Sequence, residues 1–265
     1  MGHATSYDQD SRIAEYYELI PVSRERGDVN FYLECARRAR GKVLELGCGT
    51  GRNLLPLSAA GIEIDGVNLS ESMLAKCQQK LESQPPQVRE RVRLICGSMT
   101  DFNLGESFDL VMLPFRPFQH LLTVDDQQAC LRAVNHHLRQ KGRLVFDVFQ
   151  PDFRHLHDPT YRQETEEVPE VACPGGQRIR VTSRVLAFHP AEQYNQLELI
   201  FYITHPDGRR ERFVHAFSFR YFFRYELEHL LARGGFRVVE LYGNFDKSPL
   251  RDDSPEMIFV AEKSP

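Results

Sequence analysis

Between Val43 and Asn53 an apolar strand pattern, Val43-Leu44-Glu45-Leu46, runs straight into Gly47, Gly49 and Gly51, and a helical pattern follows. No other stretch limits the fold as tightly. Glycine reaches backbone angles closed to other residues and carries no Cβ, so a strand can turn sharply into a helix and its backbone can touch a ligand. The main-chain amides at the helix start are expected to face that ligand. The spacing is G-x-G-x-G, with Glu45 two residues ahead of the first glycine. A nicotinamide or flavin fingerprint is spaced G-x-G-x-x-G, and an NTPase loop closes on G-K-[ST]. Neither follows Leu46, which counts against a dinucleotide and against a nucleoside triphosphate. A purely structural turn is the other reading of these residues.

The 265 residues allow one large domain or one domain with an elaboration. That length buries a core needing no disulfide or metal staple. A net charge of -4 argues against a main task of gripping a phosphate backbone. Apolar runs stay well short of the ~18 residues that span a bilayer. The first ten residues lack the apolar stretch of a secretory signal. Gly2 and Ser6 do fit the loose M-G-x-x-x-S acylation pattern, which also arises by chance. The six cysteines make no C-x-x-C pair and no zinc spacing, pointing to a reducing, cytoplasmic setting.

Up to about residue 152, short apolar runs alternate with helical patterns, the signature of β-α-β units and a parallel sheet. The expected strands are Lys42–Leu46, Glu63–Asn68, Val92–Cys96, Phe108–Leu113 and Arg143–Phe149. Expected helices include Ser70–Ser83 and Thr123–Gln140, each opening on a capping hydroxyl. Beyond Arg154, three long runs rich in β-branched and aromatic residues predict three antiparallel strands: Gln177–Phe188, Gln193–His205 and Arg209–Phe223. Pro206-Asp207-Gly208 makes the turn between the last two. Tyr225–Arg233 then predicts a helix, and Phe236–Leu241 and Met257–Ala261 the closing strands. The expected organisation is an N-terminal helical cap over residues 1–41, an α/β core over 42–152, an antiparallel β lid over 153–224 and a return to the core over 225–265.

Glu45-x-Gly47-x-Gly49-x-Gly51 resembles motif I of the class I S-adenosylmethionine-dependent methyltransferases, and the likeness runs from about Tyr16 to Glu262. It implies a Rossmann-like, seven-stranded, mostly parallel sheet with an inserted β lid, and S-adenosylmethionine as cofactor, leaving S-adenosylhomocysteine. On the cofactor it places Glu45, Gly47, Cys48, Gly49, Asn53, Leu69, Met73, Met99 and Leu113. In the family an acid at the end of the second strand holds the ribose hydroxyls. Here that position is Asn68, which keeps an acceptor and gains a donor but gives up the charge-assisted bond. Ser98 likewise replaces the acid of the G-D-M-x-D-F element beside the adenine. These two departures sustain the alternative of a cofactor-binding module without turnover. Phe118-Gln119-His120-Leu121 is similar to glycine N-methyltransferases and amino-sugar N,N-dimethyltransferases, which implies a small-molecule acceptor with nitrogen favoured over oxygen. O-methyl transfer, or an RNA or protein acceptor, is the same-fold alternative.

The sulfonium already activates the methyl group, so the protein's task is proximity and orientation, and no metal is required. His120 follows the fourth strand and is the candidate for taking or sharing the acceptor's proton. Against that stands a helix-start histidine bonded only to backbone. Near the N-terminus, Tyr17 best matches the relatives' aromatic partner of the sulfonium, with Tyr16 the alternate. Arg26, ahead of Arg24, matches the arginine that relatives place on the methionyl carboxylate. Arg116, Gln119 and Tyr221 complete the expected acceptor side, with alternation setting Phe217, Phe219, Tyr221 and Phe223 on one face. His155 and His157 have no companion ligands, and His136-His137 would favour the dipole at a helix end. Monomer and homodimer both remain open.

Overall fold

Val43–Leu46 is buried at every position, as befits a strand covered on both faces, and the sheet grows outward from it. A computed structural model describes residue 7 and residues 11–19, 26–152, 158–173 and 175–264. In chain order the elements are α1 (Arg12–Tyr16), α2 (Asp28–Ala39), β1 (Val43–Leu46), α3 (Leu54–Ala59), β2 (Ile64–Asn68), α4 (Glu71–Glu82), α5 (Pro86–Arg89), β3 (Val92–Cys96) and β4 (Phe108–Leu113). There follow α6 (Val124–His137), β5 (Leu138–Phe149), β6 (Thr165–Ala172), β7 (Arg178–His189), β8 (Tyr194–Thr204), β9 (Arg210–Arg220), α7 (Arg224–Arg233), β10 (Phe236–Tyr242) and β11 (Glu256–Lys263). The chain divides into two compact units, Met1–Glu25 with Pro151–Tyr221, and Arg26–Gln150 with Phe222–Pro265.

In the larger unit seven strands lie in the order β10-β11-β5-β4-β1-β2-β3. β1 runs parallel to β2 and β4, and β11 runs antiparallel to β5 and β10. Strand alternation sorts the core into two layers. Leu44 and Leu46 pack with Leu131 and Val134 of α6 and Leu227 and Leu231 of α7. Val43 packs on the other face with Phe31 and Tyr32 of α2, Leu54 and Leu57 of α3 and Cys77 of α4. After β3 the chain returns to lay β4 on the far side of β1, so the crevice between their carboxyl ends is the switch point where such sheets take ligands.

Ser70 Oγ accepts the Met73 N–H at 3.2 Å and Thr123 Oγ1 the Asp126 N–H at 3.1 Å, starting α4 and α6 where the sequence predicts. The far end of α6 differs. The helix stops at His137 instead of Gln140, and β5 already starts at Leu138, which pairs with Phe108. The register then shifts, with Lys141 at φ +63°, before Arg143 meets Leu110. A lone strand pairing outweighs three residues of helical pattern here.

The smaller unit holds a four-stranded antiparallel sheet, β6-β7-β8-β9. Only three strands were expected. The missed one, β6, reads Thr-Glu-Glu-Val-Pro-Glu-Val-Ala, acidic and interrupted by Pro169. It lies at the sheet edge, with register shifts on both sides of the proline, where a residue without an N–H does least harm. Phe201 and Phe213 stack at 4.5 Å in this unit's core, and Tyr16 packs on both. The alternation expected through Phe223 ends with β9 at Arg220. Phe222 is instead fully buried in the core of the larger unit, and Phe223 caps α7.

Phe146 lies between Phe118 and Phe259, each ring centroid 5.4 Å away. Phe146→Ala is expected to cost the larger unit about 3–5 kcal/mol, read as a lower denaturation midpoint with the slope retained.

Candidate active site

The glycine loop is held mostly by its own amides. Gly47 N and Cys48 N donate to Val67 O, Gly51 N donates to Cys48 O, and Gly49 N donates to Asn68 Oδ1 at 3.1 Å. This corrects the expectation that these amides face a ligand. The helix they precede, α3, has only six residues and no side-chain cap at Asn53. What the loop offers instead is room. A Cβ on Gly51 would lie 2.6 Å from Cys77 Sγ and one on Gly47 2.7 Å from Pro117, whereas one on Gly49 would meet only the Gly47 carbonyl, at 4.0 Å.

Beside the loop lies a chain of buried charges. Arg52 forks onto Asp28 at 2.8 and 2.5 Å. Burial works against the Asp28 charge, but the Arg52 fork overrides it and holds that carboxyl below its ordinary range. Arg26 Nη2 donates to Asp147 Oδ2 at 2.7 Å and to Glu256 Oε1 at 2.9 Å. Arg116 donates from Nη2 and Nε to the two oxygens of Glu256 at 2.5 and 3.3 Å. Burial raises Glu256 despite both guanidinium groups. Phe115 has the guanidinium carbons of Arg26 and Arg52 over its ring at 4.9 and 4.8 Å.

Two members of this neighbourhood are left unsatisfied. Arg26 Nε and Nη1 are buried without a partner, and so is Glu45 Oε2. Burial pushes the Glu45 carboxyl up to about 8, against the pull of Arg52. One unmatched cation and one unmatched acid, both out of water, fit the two ends of an α-amino acid: its carboxylate toward Arg26 and its ammonium toward Glu45. The methionyl part of S-adenosylmethionine has that form.

At the end of β2, Asn68 spends Oδ1 on Gly49 and donates from Nδ2 to Ser70 O at 3.3 Å. Ser98 Oγ accepts the Thr100 N–H at 3.1 Å and lies 2.7 Å from Thr100 Oγ1, so it shapes its own turn. Leu69 is exposed at the end of β2, and Cys96, the exposed cysteine, points its thiol at Leu69 O. Met99 is half-buried against the core; Met73, Leu113 and Cys48 are buried, and burial raises the Cys48 thiol well above its usual range. Asn53 is buried with Oδ1 unpartnered.

His120 ends the short 3-10 turn Pro117–His120 that follows β4 and is half-buried. Gln119 is fully buried and its Oε1 accepts the Phe149 N–H, so it braces the turn instead of facing an acceptor. Arg116 is committed to Glu256. In the smaller unit, Tyr17 stands edge-on to Tyr7 at 6.0 Å, and Tyr16 donates to Gln177 Oε1 at 3.1 Å. Tyr221 is buried, with its N–H on Gln193 O. His137 does not serve as an exposed helix-end cation. Its Nε2 accepts the Leu104 N–H at 3.0 Å and its Nδ1 lies 2.8 Å from Ala133 O, which fixes the proton on Nδ1. Arg24, His155 and His157 lie outside the described residues. Among the described residues no cluster of His, Cys, Asp or Glu could hold a metal ion. Nor is any helix long and apolar enough to cross a membrane.

Sequence reading missed Asp147, Glu256, Asp28, Tyr32 and Arg52. Its one available signal was Asp147, a lone acid inside Leu144-Val145-Phe146-Asp147-Val148-Phe149.

The methyltransferase domain family matches residues 43–142. A Bacillus subtilis (strain 168) chain, named a methyltransferase only provisionally, is 25% identical over 268 residues, covering 99% of this chain and 96% of that one. The dTDP-3-amino-3,6-dideoxy-alpha-D-glucopyranose N,N-dimethyltransferase of Streptomyces fradiae is 27% identical over 146 residues, 53% of this chain and 54% of that one. An amino pentose methyltransferase from Micromonospora echinaspora, solved with S-adenosylmethionine bound, shares the fold at TM-score 0.70 and 24% identity, over 94% of this chain and 96% of that one.

Glu45 gives a pH signature. Its folded pKa of about 8 lies above the ordinary 4.5, so the folded state holds a proton that the unfolded chain releases in that window. Its contribution to stability therefore declines as pH rises from about 4.5 and levels off above about 8, a loss on the order of 3 kcal/mol by pH 7. Glu45→Gln removes this term. The stability gap between variant and parent, followed by denaturant melts from pH 5 to 9, should widen with pH and then flatten; a gap independent of pH would contradict the assignment.

Proposed function

The matched domain and the architecture around it make this chain an S-adenosylmethionine-dependent methyltransferase of the class I fold, and we propose that its acceptor is a nitrogen of a small molecule, an amino sugar foremost. The observations that support the cofactor side are the buried, unpartnered atoms of Arg26 and Glu45, together with the open space at Gly49. The acceptor side is supported by the likeness to the amino-sugar dimethyltransferase.

When bound, S-adenosylmethionine would supply a methyl group made electrophilic by its sulfonium, its S–C bond exchanged for the acceptor's N–C bond and S-adenosylhomocysteine left behind. Arg26 offers one of its unpartnered donors, Nε or Nη1, to the carboxylate, and Glu45 takes the ammonium. An ionised Glu45 is needed for that pairing, so binding at neutral pH releases a proton. Asn68 Nδ2 is the donor available to the ribose, and Leu69 and Met99 offer apolar contact to the base. An amine must be neutral to attack. The His120 imidazole, at the carboxyl edge of β4, holds the amine's lone pair free by accepting or sharing its proton.

His120→Ala should lower kcat by roughly 10²–10⁴-fold while S-adenosylhomocysteine affinity, measured by calorimetry, stays within about twofold. Amino-sugar nucleotides should gain methyl groups by mass spectrometry where their hydroxyl counterparts do not; preferential labelling of the hydroxyl set would overturn the nitrogen assignment. Gly49→Ala should fold with about 1–2 kcal/mol lost to its left-handed backbone, yet bind S-adenosylhomocysteine more than about tenfold more weakly, because the new methyl fills the cofactor's space.

A further inference from the structure

Asp147 is fully buried in β5, and neither methyl activation nor proton transfer requires a carboxylate there. Its oxygens are nevertheless fully engaged. Oδ1 accepts the Tyr32 O–H at 2.7 Å and the Phe115 N–H at 2.9 Å, and Oδ2 accepts Arg26 Nη2 at 2.7 Å. Tyr32 stays a donor, since burial and the adjacent carboxylate push its phenol well above the usual value. These donors come from α2, from the turn after β4 and from the residue two places ahead of α2. That turn is strained, with Phe115 at φ +69° and Arg116 at φ +67°, the latter directly before a proline.

With Nη2 held by Asp147 and Glu256, the guanidinium plane is fixed and Nε and Nη1 are the donors left over. We propose that Asp147 is a positioning residue for cofactor binding: it clamps Arg26 so that one of those donors meets the methionyl carboxylate, and it pins the Phe115–Arg116 turn that leads to His120. The proposal rests on the assignment of Arg26 to that carboxylate. An asparagine cannot replace it. One amide oxygen can still serve Tyr32 and Phe115, but the amide nitrogen then faces Nη2, donor against donor. Removing the negative charge also draws an incoming carboxylate closer. The lost orientation should outweigh this, because Arg26 keeps Glu256 as a buried counter-ion and would swing toward it.

The test is calorimetry with two ligands, S-adenosylhomocysteine and its decarboxylated analogue, on the parent, Asp147→Asn and Tyr32→Phe. In the parent the carboxylate should improve affinity by at least about tenfold. Asp147→Asn should cut that advantage by about tenfold while analogue affinity stays within about twofold. Tyr32→Phe, which removes one donor and no charge, should cut it by about threefold and stands in if the asparagine variant does not fold. An advantage unchanged or enlarged in a folded variant overturns the proposal, as does equal weakening toward both ligands, the mark of a purely structural acid. A parent that binds both ligands equally would instead overturn the Arg26 assignment, and the proposal with it.

Discussion

A guanidinium sunk between two carboxylates is the interaction on which the site depends. Taking Arg26, Asp147 and Glu256 out of water is expensive, and the attraction among them recovers that cost only with good geometry and further hydrogen bonds. Those bonds are present: Tyr32 and the Phe115 amide complete Asp147, and Arg116 completes Glu256. Only Arg26 remains incomplete. Apolar packing of the same volume would serve stability as well or better, so the cluster is better explained by what its unfinished member can bind.

The same logic distinguishes the two sides of the crevice. Around Arg26 the polar groups are charged and buried, and the donors Nε and Nη1 of Arg26 itself lack partners. At the ends of β2 and β3, Asn68 and Ser98 are neutral and already bonded to their own neighbours, Gly49 and Thr100. The carboxamide also does something a pure ribose ligand would not: it ties the open glycine to the start of α4 through Ser70.

Much of this fold was readable from local pattern. β3 and β4 begin and end where their apolar runs do, and the caps at Ser70 and Thr123 hold as their spacing suggests. Such features depend on neighbours within a few positions. β6 was not legible because an acidic, proline-bearing edge strand draws its order from β7, not from its own residues. The loop amides were misread because their acceptors, Val67 O and Asn68 Oδ1, belong to another strand. Arg26 was picked out by resemblance, but its two anchors could not be, since no spacing rule links an arginine to acids on distant strands.

The partners of Arg26 lie 121 and 230 residues further along the chain. During synthesis the guanidinium leaves the ribosome long before Glu256, which opens the final strand. A chain that has laid down β1 to β5 but not β11 would bury that cation with one of its two carboxylates missing. Completion of the site thus requires β11 as well as β5, so no stretch of chain that stops short of Glu256 can assemble it.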